Sequence, residues 1–342
     1  MRSISRRNFI GRATHAAALL AATKKVAGTF PGKVPATFDG DAFDGDGAAS
    51  EAGGQTPRTA AGGMYVSLNG SLTRQMPWTD FVRLAGKLGY GGVDVNLGSA
   101  KTDGVDATRA LLKELNLKPA VANLGLQFTT PDDAAFQQGL KQLDENAKFA
   151  TAIGLHRMMA VLSPASPVPK DERRTFVKDR VTAIAQVLQR SNIRLGLEFL
   201  GPLYMRSNAK SPYPFIWTLT ETAALAQECG PNIGVVLDAW HWHHSGGTTA
   251  DILAAGKSRI VHIHVSDAKP QPPDEVRDNH RHMPGEGIID LVGFFQALKK
   301  IGYEDGISPE PLGRIPENMT PEEGARLGLE TTLAMMKKAG VV

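Results

Sequence analysis

Four short runs in the second half of the chain each carry an acid or a histidine at the end of an apolar stretch. They are RLGLEF with Glu198, IGVVLDAWH with Asp238 and His241, RIVHIHVSD with His262, His264 and Asp267, and GISPEPL with Glu310. Residues two apart in an extended strand share a face, so His262 and His264 point the same way. With Val261, Ile263 and Val265 packed outward against helices, the two imidazoles look inward. A single buried histidine is ordinarily a hydrogen-bonded core residue. Acids beside buried apolar runs are costlier, unless they are paired or bind a cation. Glu198, Asp238, His264 and Glu310 together suit one divalent metal ion, Mn²⁺ first, with Mg²⁺, Co²⁺ or Zn²⁺ as alternatives. The chemistry expected of such a site is Lewis-acid stabilisation of charge developing on substrate oxygens.

The elements that must position these groups recur from Met64 onward. Strand-like runs MYVSLN, GGVDVNL, KPAVANL, RMMAVLS, RLGLEFL, IGVVLDAWH, RIVHIHVSD and GISPEPL alternate with amphipathic runs such as TDFVRLAGKLG, KDRVTAIAQVLQR and DLVGFFQALKKIG. Several of the latter open on Thr or Asp and close on Gly, as helices do. Eight strands, each followed by a helix, predict an α/β fold, a (β/α)8 TIM barrel. An open doubly wound sheet fits less well, because VSLNGSLT lacks the glycine-rich phosphate turn. Barrel chemistry sits at the C-terminal ends of strands, and the four candidate ligands lie at the ends of strands five to eight.

Composition bounds the rest. Of 342 residues, 42% are hydrophobic and 21% charged, as in soluble globular chains. A net charge of +3 gives no basic footprint for nucleic acid. A single cysteine, Cys229, forbids an intrachain disulfide and a cysteine-based zinc site. No stretch has the roughly 18 apolar residues of a membrane span, so no membrane association is expected of the mature form. Residues 1–30 contain SRRNFI and a short Ala/Leu run, resembling a twin-arginine signal with Arg6 and Arg7 as the pair. Export by that route to the periplasm or another extracytoplasmic space is expected. Residues 31–63, rich in Gly, Ala, Asp and Pro, are expected to be a disordered linker, and residues 64–342 the barrel.

The pieces GLEFLGP, VVLDAWHWHH, VHIHVSDAKP, HMPGEGIIDLVGFFQALKKIGYEDG and ISPEPLG resemble, in this order and spacing, the xylose-isomerase-like sugar isomerase/epimerase superfamily. Its members include ketose 3-epimerases, hydroxypyruvate isomerases and inosose dehydratases. The resemblance implies that Glu198, Asp238, His264 and Glu310 bind the metal and that Glu198 and Glu310 are also the acid/base pair. It implies substrate contacts for His241 and for Arg281, three residues before the PGEG turn at Pro284 to Gly287. Two departures stand out. In ketose 3-epimerases that arginine lies close behind the histidine, whereas KPQPPDEVRDNH intervenes here, and the glutamate that follows their EP motif is missing.

The implied activity is isomerisation or epimerisation of a small carbohydrate, a keto sugar or related polyol, through a cis-enediolate. The alternative is a lyase or dehydratase using the same enediolate on a 3-keto-glycoside or inosose. An abasic-DNA endonuclease of the same barrel type would need more histidines on earlier strands, where only His156 occurs. A non-catalytic sugar-binding barrel is a fourth reading, and a homo-oligomer is left open. Among lesser candidates, Asp267 is expected to orient a ligand or act as a secondary base, and His262 to pack one layer deeper. His243, His244, His280, His282, Trp240, Trp242 and Glu286 are rim residues. Asp94, Asn96 and Asn123 are polar groups at the mouth without an assigned role.

Overall fold

A computed structural model describes residues 63–74 and 76–342. The expected signal segment and all but the last residue of the expected linker lie outside the described residues. Eight parallel strands form a closed barrel: β1 Tyr65–Leu68, β2 Gly92–Val95, β3 Lys118–Asn123, β4 Arg157–Leu162, β5 Arg194–Phe199, β6 Ile233–Asp238, β7 Ile260–Val265 and β8 Gly306–Pro309. Each strand pairs with its neighbours in sequence, and β8 closes on β1 with Val66 opposite Ile307. The predicted barrel is the observed one. Among the described residues no helix is long and apolar enough to cross a membrane.

The expected alternation places residues such as Ile263 and Val265 in the apolar layer that also contains Phe294, Phe295 and Leu298 of the helix Leu291–Lys300. Val121, Met159 and Val236 form a separate small cluster. The β6–β7 pairing departs from strict alternation, as does β2–β3 between Val93 and Val95. The β6–β7 register slips between Val235 and Val236, which pair with Ile260 and His262, so Val261 is bulged. Val261 packs against Gly196 and Gly234, where an added Cβ would stand 3.1 Å from its Cβ and 2.8 Å from its Cγ2. Its expected outward packing is therefore corrected: two glycines make room for it on the side of β5 and β6.

The predicted strands overrun the observed ones, most informatively at β6 and β7. Asp238 ends β6, and a short helix, Ala239–His244, follows at once because the Asp238 carboxylate caps it. Oδ1 accepts from Trp240 N at 2.7 Å and His241 N at 3.3 Å. Likewise β7 stops at Val265, and Asp267–Ala268 pairs with Arg281–His282 in a two-residue antiparallel ladder.

Cys229 closes the helix Leu219–Cys229 and is buried, with Sγ 3.9 Å from the Lys178 carbonyl. Burial pushes its thiol up to about 11. At pH 8 roughly one thiol in a thousand is then ionised. Native protein should accordingly react with a disulfide reagent at least about 100-fold more slowly than protein in urea. Equal rates would show that this helix end is open.

Candidate metal centre

The C-terminal ends of β5 to β8 bring the predicted ligands together. Glu198 lies one residue before the end of β5, Asp238 ends β6, His264 is one residue before the end of β7, and Glu310 follows β8 directly. One ligand atom from each lies within 4.8 Å of all the others. Glu198, Asp238 and His264 are buried, and the Glu310 side chain is 19% exposed. His264 Nδ1 sits 2.9 Å from Glu198 Oε1 and 3.5 Å from Glu310 Oε2.

Like charges crowd this group. Burial disfavours a charged imidazole, yet Glu310 and Glu198 outweigh it and raise His264 to about 10. Burial, reinforced by Glu198 and Asp238, raises Glu310 to about 7 against the pull of His264 and Arg281. Three carboxylates crowd a space too small for three negative charges, so the site takes up protons. A divalent cation would offset the charge of these carboxylates while leaving the imidazole neutral. The donor set of carboxylate oxygens and one imidazole nitrogen therefore fits such an ion.

Arg281 joins this group although twelve residues and more separate it from β7. Its Nη1 donates to Asp238 Oδ2 at 2.7 Å and to Glu310 Oε2 at 3.2 Å, and its Nη2 donates to Asp278 Oδ1 at 2.7 Å. The guanidinium lies 4.8 Å from the centre of the Trp240 ring. Burial opposes its charge, but Asp238, Glu310 and Asp278 hold it firmly protonated. His241 is buried and its acidity is shifted by burial towards the neutral form. Gly201 N–H approaches His241 Nδ1 at 3.4 Å and Arg281 Nη2 approaches Nε2 at 3.2 Å. A neutral imidazole accepts through one nitrogen, so these two donors compete. All six predicted site residues thus meet at one place.

The lesser candidates divide. Asp267 is no base: it accepts from Ala268, Gly285, Gly287 and Ile289 backbone N–H groups at 2.8–3.0 Å and fastens the PGEG turn. An added Cβ on Gly287 would lie 2.5 Å from Asp267 Oδ1, so the close approach requires glycine. His262 does pack deeper, with Nε2 2.8 Å from Ser308 Oγ. Ser308 and Ser67 donate to Asp94 Oδ1 at 2.7 and 2.8 Å, and Asn69 donates to Oδ2 at 2.9 Å. Burial pushes Asp94 upward, with His264 and these hydrogen bonds opposing it. His244 packs edge-on to Trp240 at 4.4 Å, and burial pushes it down to about 4. Glu286 pairs with Arg314 through two hydrogen bonds, away from the tetrad. His280 is exposed. Sequence reasoning missed Asp278, an ordinary loop acid whose only signal is its place three residues before Arg281.

A closed parallel barrel gathers three carboxylates and an imidazole at the C-terminal ends of its strands, a donor set that could hold a metal ion. The sequence pattern of the xylose isomerase-like TIM barrel matches residues 82–338, and the chain belongs to that family, as one of its enzymes. It is 24% identical over 225 residues to an inosose isomerase of Bacillus velezensis, covering 65% of this chain and 77% of that one. It is 27% identical over 288 residues to the L-ribulose-5-phosphate 3-epimerase UlaE of Salmonella typhi, covering 78% and 92%. Among solved structures, the IOLI protein with a bound zinc atom superposes with a TM-score of 0.69 at 23% identity, over 81% of this chain and 99% of that one.

Replacing Asp267 by alanine removes the acceptor for four backbone donors at once. We expect Asp267→Ala to lower the unfolding free energy by about 1–3 kcal/mol in urea titration, chiefly the cost of stranding the buried Ala268 and Ile289 amides, since Gly285 and Gly287 are exposed. A change below about 0.5 kcal/mol, that of an ordinary surface substitution, would contradict the fastening role.

Proposed function

We propose that the protein is a divalent-metal-dependent isomerase or epimerase of a keto sugar or related polyol, working through a cis-enediolate. The observation that carries this reading is the position of Glu198 and Glu310. Both flank the same point, share His264 between them, and lie at the open end of the barrel. Glu198, Asp238, His264 and Glu310 would hold the ion, Mn²⁺ first among the divalent metals. When bound, that ion supplies Lewis-acid stabilisation of the negative charge that develops on the carbonyl and neighbouring hydroxyl oxygens.

The chain's own groups do the rest. Glu310, at the open end of the barrel, is placed to take and return a proton. Glu198 stands across His264 from it, so the two carboxylates can deliver protons to different carbons or to opposite faces of one carbon. Arg281 presents a fixed positive charge beside Asp238 and Glu310, suited to hold a substrate oxygen. His241, neutral, orients a second oxygen. The names of the relatives agree with this reading: an inosose isomerase and a pentulose-phosphate 3-epimerase both relocate a proton next to a carbonyl. Export through Arg6 and Arg7 is a separate proposal resting on the signal-like N-terminus.

Solvent-deuterium exchange into keto sugars tests the chemistry. EDTA-stripped enzyme should lose exchange and regain it with Mn²⁺. Glu310→Gln should reduce exchange by roughly 10²–10⁴-fold, with the protein still folded and its metal content measured in parallel. Undiminished turnover after EDTA would remove the metal from the mechanism, and an unsaturated product would replace isomerisation by elimination. For export, Arg6→Lys with Arg7→Lys should hold the uncleaved chain in the cytoplasm on fractionation. Unimpaired export would rule the twin-arginine route out.

A further inference from the structure

The mouth of the barrel is an open cleft on one side and clasped on the other. From His264 and Glu310 a cavity of about 1030 Å³ spreads across the ends of β1 to β4. Towards β5 to β7 the side chains of His241 and Arg281 are buried, and two loops meet there. One is the stretch after β5, with a short helical turn at Leu203–Met205. The other is the KPQPPDEVRDNH insertion, residues 269–280.

The first loop is anchored to the helix Ala239–His244. Gly201 lies so close to the His241 carbonyl that a Cβ would have no room. Arg206 donates to the Gly201 carbonyl through Nε at 3.1 Å and Nη2 at 2.7 Å, and to the His244 carbonyl at 3.1 Å. The insertion is held by less: Val276 is its one buried residue. Tyr204 bridges the two loops. Its hydroxyl oxygen accepts from the Asp278 N–H at 3.1 Å, and the Arg277 guanidinium lies 5.0 Å from its ring centre. Among the described residues no other hydrogen bond joins these loops. Asp278, so held, accepts through Oδ1 from Arg281 Nε at 3.2 Å and Nη2 at 2.7 Å, while Nη1 reaches Asp238 and Glu310. A guanidinium is a planar fork, so two of its N–H groups directed at one oxygen fix its direction.

We propose that Tyr204 is a positioning residue: by holding Asp278 it sets the direction of Arg281, and with it the hold on the substrate oxygen assigned to that arginine above. The proposal rests on the isomerase reading and adds to it a residue that acts through another. Without the phenol oxygen the Asp278 amide turns to water. The insertion is then free to swing on the ladder at its base, and the Asp278 carboxylate moves with it. Tyr204 is 37% exposed, so its substitution leaves no cavity in the core.

Phenylglyoxal, which adds to accessible guanidinium groups, reads the position of Arg281 without any substrate. The Mn²⁺-loaded full-length protein is labelled, and each arginine is followed by peptide mass spectrometry. Tyr204→Phe keeps the ring and removes only the acceptor. It should raise Arg281 labelling about three- to tenfold, the worth of one hydrogen bond, and leave Arg314 unchanged. Asp278→Ala should raise Arg281 labelling too, and adding Tyr204→Phe to it should change the rate by less than about twofold, because the route is already cut. Equal Arg281 labelling in Tyr204→Phe and the unsubstituted protein, or fully additive effects, would overturn the proposal. In solvent-deuterium exchange with D-fructose, Tyr204→Phe should raise KM about three- to tenfold and leave kcat within about twofold, a split that a general loosening of the barrel would not give. An unchanged KM would also overturn the positioning role. If D-fructose does not exchange with the unsubstituted protein, the isomerase reading fails for that sugar, and the labelling alone decides the role of Tyr204.

Discussion

Three carboxylates converging on one buried imidazole form the constraint to which the rest of the barrel answers. Like charges this close in a region of low polarity repel strongly, and the fold contains that repulsion rather than avoiding it. Two cationic groups oppose it. His264 takes a proton between Glu198 and Glu310, and Arg281 braces Asp238 and Glu310 from the other side. The cost is met by the apolar packing outside the strands, where Ile263, Val265 and Leu237 are fully buried. A site so arranged favours whatever brings compensating positive charge.

The eight strands divide the labour. Strands β5 to β8 supply the charged tetrad, while β1 to β3 supply the polar residues Asn69, Asp94 and Asn123 and the wider part of the cleft. The two halves are joined below the tetrad by a chain of hydrogen bonds from His262 through Ser308 to Asp94, and from there to Ser67 and Asn69. Burial holds His262 far from protonation, so it takes part as a neutral imidazole. His262 and His264 meet edge to face with ring centres 5.3 Å apart. That contact helps to set the orientation of His264 from residues outside the tetrad.

Much of this was legible in the sequence because two short-range rules carry it. Period-two alternation aims His262 and His264 the same way, and strand ends in a barrel share one face, so Glu198, Asp238, His264 and Glu310 had to meet. What was not legible came from interactions across strands or within turns. The bulge that turns Val261 towards Gly196 and Gly234 depends on pairing with β6, which alternation along β7 cannot reveal. The extra apolar residues of VLDAWH read as more strand, because the capping power of Asp238 competes with its visible role as a ligand. Asp267 looked like chemistry because an acid after a strand usually is at the mouth, yet its four partners are backbone groups, invisible to side-chain patterns.

Arg281 reaches the tetrad despite the residues that separate it from β7. KPQPPDEVRDNH lengthens the path from β7 to the arginine, and on sequence distance alone that insertion would carry the guanidinium away. The two-residue ladder of Asp267–Ala268 with Arg281–His282 cancels the added length, because it ties the end of the insertion back to its beginning. Asp267 then fixes the turn on the far side, and Asp278, inside the insertion, reaches the guanidinium through Nη2 and Nε. The intervening residues therefore form an outward excursion, stitched at its base, with one of its own acids recruited to hold the residue it seemed to displace. Loop closure costs free energy that grows only slowly with length, so a short ladder and one carboxylate suffice to offset it. Position in the site is set by what closes the loop, and the extra length is free to shape the rim.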